Sequence, residues 1–176
     1  MTLDPRVSRA FSEDSDEAFE KILIDREVVF WVKWSERDER IAALCEAVIR
    51  TGRLSSSRGG SSLMVSYGET SAIRELADDP GDRHVALLTL NEALLGDYEV
   101  RFLWDSTGAD AGAFLPLSVA DWREVEALAG ERLRFRVLTL MESPNVFTEL
   151  TPRDRPARPP GLEARVMKKP WWKIWG

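Results

Sequence analysis

The chain has 176 residues, 44% apolar and 31% charged, with a net charge of −6 and one cysteine, Cys45. That length supports one domain with a core of its own, a lone cysteine excludes an internal disulfide, and no apolar run approaches the ~20 residues of a membrane span. The opening MTLDPRVSRAFSEDSDE is acidic and lacks the apolar centre of a secretion signal, so a cytoplasmic location is expected.

The charge is unevenly placed. From Thr151 onward seven basic residues face only Asp154 and Glu163, a net +5, which leaves −11 on residues 1–150. The expected organisation is a single acidic domain over 1–150, a Pro/Arg-rich linker over 151–162 and a basic, tryptophan-rich segment over 163–176.

In chain order, Asp14-Ser-Asp-Glu17 reads as a capping box with the Asp14 carboxylate on the first-turn N–H groups. Ala18, Phe19, Ile22 and Leu23 then form one helical stripe. EVVFWVKW is rich in β-branched and aromatic residues and apolar on both faces, which predicts a buried strand. Ser35 to Asp38 signals a new helix start. Ile41, Leu44, Cys45, Val48 and Ile49 repeat at helical spacing for about four turns, and Gly52 suits a left-handed exit. LSSSRGGSS reads as a flexible loop. Leu63, Val65 and Tyr67 share one face of a strand, and Ile73–Leu76 can pair back on it through Gly68.

VALLTLNEALL is compatible with either period, but the spacing of Leu87, Leu90, Asn91 and Leu94 and the Gly96 stop favour a helix. Tyr98, Val100, Phe102 and Trp104 face one way on a strand. AFLPLS returns as a strand that Pro116 assigns to an edge or bulge. VADWREVEALAG is a helix capped by Ser118 and ended by Gly130. LRFRVLTL alternates, with Leu133, Phe135 and Val137 inward and Arg134 and Arg136 outward. Short turns between strands with interspersed helices predict an α+β domain: a mainly antiparallel sheet of five to six strands with three to four helices packed on one face, followed by a Pro-rich tail.

Few chemistries have the side chains they need. One His and one Cys are too few for a zinc centre, no EF-hand spacing occurs, and there is neither a Walker-A nor a Gly-x-Gly-x-x-Gly loop, so no metal or cofactor is expected. His84 reads as a surface histidine with a local hydrogen bond, and Cys45, on the apolar stripe of its helix, as an inert core thiol. No catalytic residue is assigned. Asp105 and Asp110, in the turn STGADAG and its approach, form the one candidate polar site, for a cation, a basic partner or a carboxylate-dependent enzyme.

The strongest functional signal is KKPWWKIWG. Lys168, Lys169, Trp171, Trp172, Lys173, Ile174 and Trp175 mix ammonium and indole, and Pro170 holds the segment extended. Tryptophan is an interface hot-spot residue, so docking on a protein partner is expected. An anionic membrane surface also fits, as does folding back onto the acidic domain. Nucleic acid is disfavoured by the charge of the body. The sequence therefore predicts a non-catalytic interaction module, of a composition shared with immunity and inhibitor proteins, with a small carboxylate enzyme and a peripheral membrane protein as alternatives.

Overall fold

The computed structural model of the protein describes residues 3–13 and 15–157. Among these residues the architecture is α+β, with five α-helices and two antiparallel sheets. Helices α1 (Pro5–Glu13) and α2 (Asp16–Ile24) lead into strand β1 (Phe30–Lys33). After a short 3-10 turn come α3 (Ile41–Ile49), β2 (Leu54–Gly59), β3 (Ser62–Tyr67), β4 (Thr70–Glu75), α4 (Asp82–Ala93), β5 (Tyr98–Leu103), β6 (Ala111–Ser118), α5 (Val119–Ala129) and β7 (Val137–Thr139). The larger sheet runs β1-β6-β5-β7, and β2-β3-β4 form a separate meander.

Strand alternation places one core on each face of the larger sheet. Phe30, Val32, Val100, Phe102 and Phe114 point to one side, where they meet Cys45 of α3, Leu87 and Leu90 of α4, and Leu63 and Val65 of β3. Leu103, Ala113, Leu115 and Leu117 point to the other, against Phe11 of α1, Phe19 and Ile22 of α2, and Trp122 and Val125 of α5. Helices thus cover both faces rather than one. The opening stretch, read only as acidic, supplies α1, whose Val7, Ala10 and Phe11 are buried.

Several local expectations are met. Ala18, Phe19, Ile22 and Leu23 are buried on α2, and VALLTLNEALL is helical through Ala93 in α4, its last two leucines forming the turn that follows. The Ser118 hydroxyl caps α5 by accepting from Asp121 N at 3.0 Å. Others are corrected. The cap of α2 is Ser15, whose Oγ accepts from Ala18 N at 3.2 Å; Asp14 lies outside the described residues. The left-handed exit from α3 falls at Arg50, with φ 53°.

LSSSRGGSS is not a loop but strand β2 and the turn into β3, in the register Leu54↔Tyr67 to Gly59↔Ser62. Gly60, with φ +63°, supplies the left-handed turn residue. Its serines alternate outward because β2 is an edge strand with one face on the core.

Pro116 sits in β6, between β1 and β5, not at an edge. β1 pairs only with residues 111–114, and Pro116 lies opposite Val100, whose N–H and C=O are taken by Asn91. The missing proline donor therefore points past the end of β1, where no ladder bond is forfeited. LRFRVLTL is strand only over the three residues of β7, its first three residues closing the 3-10 helix Gly130–Phe135, and Arg136 is buried rather than outward. Among the described residues no helix is long and apolar enough to cross a membrane.

Candidate functional site

EVVFWVKW holds more aromatic surface than its strand can bury. β1 is only four residues long and is the outer strand of its sheet, so Phe30 and Val32 enter the core while Trp31 is half-buried and Trp34 is 42% exposed. The two indoles line a groove of about 770 Å³ between the C-terminal end of α2, β1, α3 and the loop before β6. Its apolar lining comes from Leu23, Ile24, Trp31, Trp34 and Leu44, and its charged lining from Arg26, Lys33, Glu36 and Asp110. Ile24 stands 53% exposed.

Hydrogen bonds hold the groove open. Trp31 Nε1 donates to Leu23 O at 2.9 Å, tying that ring to the end of α2. Trp34 Nε1 donates to Ala109 O at 3.0 Å, and its backbone N–H donates to Asp110 O at 3.3 Å. The Trp34 ring stands edge-on to Phe147, with centroids 5.5 Å apart. The Arg26 guanidinium lies 5.9 Å from the Trp31 ring centroid, within cation–π range. Fixed indoles beside two cations and two anions make a surface suited to an extended segment carrying aromatic and charged side chains.

The two aspartates expected to share a polar site have different surroundings. Asp110 is exposed on the groove. Asp105 turns inward, where its Oδ1 accepts from Arg136 Nη1 at 3.1 Å and Arg155 Nη2 at 2.9 Å. Arg136, 1% exposed, also donates to Asp16 Oδ1 at 2.8 Å and lies 4.0 Å over the Phe19 ring. Asp105 thus acts as the centre of a partly buried ion-pair cluster, with only Arg136 fully buried, that fastens residues 151–157 to the body, with Pro152 lying against Gly108.

His84 is buried rather than at the surface. Its Nε2 lies 2.7 Å from Met141 O, and its Nδ1 accepts from Val146 N at 3.4 Å, which fixes a neutral ring with the proton on Nε2. Burial pushes its pKa below the ordinary histidine value. Cys45 is fully buried, and burial drives its thiol pKa far up, so it is an unreactive core thiol as its position on α3 implied. Asp38 is also buried. Burial raises its pKa against the opposing pull of Arg83 and Arg58, at 3.8 and 3.7 Å.

Among the described residues no cluster of three or more His, Cys, Asp or Glu is placed to hold a metal. Lys168, Lys169, Trp171, Trp172, Lys173, Ile174 and Trp175 lie outside the described residues. Of the groove, sequence reasoning found only Asp110. The available signal was the pair of tryptophans at the end of a short apolar run, with Trp34 beyond the part a strand could bury. No protein-family model, curated protein or solved structure matches the chain.

Proposed function

We propose that the protein is a non-catalytic interaction module that grips a protein partner at two places, the groove beside β1 and the basic tryptophan segment over 163–176. The observation that carries this reading is the exposure of Trp34 and Ile24 on a groove whose indoles are already locked by hydrogen bonds. A preorganised aromatic surface avoids the ordering cost that weakens flexible sites. Two contacts on one chain raise the effective concentration of the second once the first has formed. The net charge of −11 over residues 1–150 favours a partner with a basic face. A carboxylate enzyme at residues 105–112 is the weaker reading, because Asp105 is engaged by two arginines.

Affinity capture from the native cell tests the proposal with three full-length forms: wild type, Ile24→Glu, and the triple variant Trp171→Ala, Trp172→Ala, Trp175→Ala. A shared partner retained by wild type and depleted at least about tenfold by either variant is the expected result, the range of a lost hot-spot contact. Identical recoveries from all three would refute it. Sedimentation with anionic vesicles addresses the membrane reading, under which wild type and Ile24→Glu pellet and the triple tryptophan variant does not.

A further inference from the structure

Resting on the same groove, we propose that in the free protein the groove is occupied by the chain's own residues 168–175, so that a partner must displace an internal competitor. Position, reach and chemistry support this. The chain is pinned beside the groove before it leaves the described structure: Arg155 bonds Asp105 and Phe135 O, and Pro152 abuts Gly108 in the loop that continues into Ala109 and Asp110 of the groove wall.

Twelve residues separate Ala157 from Pro170. Extended, they span about 40 Å, against a radius of gyration of about 16 Å for a domain of this length. Reach is therefore ample, and chemistry selects the site. Three indoles and Ile174 need apolar cover, and the groove offers Ile24, Trp31, Trp34 and Leu44. Lys168, Lys169 and Lys173 can meet Glu36 and Asp110 on the same surface, but Arg26 and Lys33 also line it, so apolar cover and proximity carry the assignment rather than charge. Pro170 blocks a helix from continuing into the indoles, and the proposed occupant is an extended segment laid along the edge strand. Tethering supplies an effective concentration in the millimolar range, so even a weak contact is populated.

The test is a fluorescence-anisotropy titration of a fluorescein-labelled peptide of residues 163–176. It is added to full-length wild type and to the full-length variant Trp171→Ala, Trp172→Ala, Trp175→Ala, whose groove is released. The peptide is expected to bind the triple variant and to bind wild type at least about tenfold more weakly, the competition that a millimolar tether imposes. Adding Ile24→Glu or Asp110→Lys to the triple variant should weaken binding at least about tenfold. Both side chains are exposed, and unchanged circular dichroism verifies folding.

Equal affinity for wild type and the triple variant, no binding to either, or indifference to both groove substitutions would overturn the proposal. So would a wild type that sediments as a dimer while the triple variant is monomeric, since a second copy would then supply the segment. If the peptide fails but Ile24→Glu still loses the captured partner, the internal competitor falls and the interaction module stands. If the peptide behaves as expected but capture is indifferent to both variants, the reverse holds.

Discussion

Arg136 keeps its charge at 1% exposure because Asp16 and Asp105 compensate it at 2.8 and 3.1 Å while the Phe19 ring covers the guanidinium face. Such a cluster is costly to halve. Arg136→Met should lower stability by about 2–3 kcal/mol in urea unfolding, because the part-buried Asp16 and Asp105 carboxylates lose a charged partner while Asp105 keeps Arg155. Adding Asp105→Leu should recover part of that loss, and a double variant no better than the single would contradict the pairing.

His84 acts through the opposite charge state. Its folded pKa is below the ordinary value of 6.5, so between the two values the unfolded chain holds more protons. Stability is therefore full above about pH 6.5 and declines as pH falls through that window. His84→Phe should flatten this slope. It should also cost about 1–3 kcal/mol at pH 8 by stranding Met141 O and Val146 N, again read by urea unfolding. Sequence alone could not place either residue. Arg136 lies in an alternating stretch that reads as outward only if it is a strand, and a single histidine beside Arg83 looks like surface.

At the scale of elements, the stub of sheet left by β7 is completed by a side chain. β7 covers only Arg101 to Leu103 of its neighbour, and one residue earlier Asn91 of α4 takes over. Its Oδ1 accepts from Val100 N at 2.7 Å and its Nδ2 donates to Val100 O at 2.9 Å. Asn91→Leu should cost about 1–3 kcal/mol, the penalty for stranding buried backbone groups. Asn91→Asp, which keeps only the acceptor, should fall between wild type and Leu when both are compared by thermal unfolding.

Elements with one strong period were legible. Ala18, Phe19, Ile22 and Leu23 describe α2, and Leu63, Val65 and Tyr67 describe β3. The elements misread lacked that period. β2 is an edge strand of serines whose structure comes from its ladder to β3, a long-range cause that composition does not carry. Pro116 was assigned by a rule about ladders, and the deciding fact was where β1 ends. The groove was legible only as an excess of tryptophan near Trp34, since it requires α2, β1, α3 and the loop through Asp110 to come together.

Across the whole molecule, the larger sheet is shared by two cores, so either helical layer rests on the same strands. That architecture confines solvent-facing aromatic surface to the margins of the sheet, and the outer strand β1 provides the margin where two indoles accumulate. The pinning of Arg155 on Asp105 and of Pro152 on Gly108 then has a mechanical meaning. On the proposed occupancy of the groove by residues 168–175, it gives the outgoing chain a fixed hinge-post beside the groove, from which the leash would be measured. Its pull weakens only slowly as the leash is lengthened, with about 0.6 kcal/mol for each doubling. Cutting the post at Arg155 would let the leash slip without altering a single atom of the surface it serves.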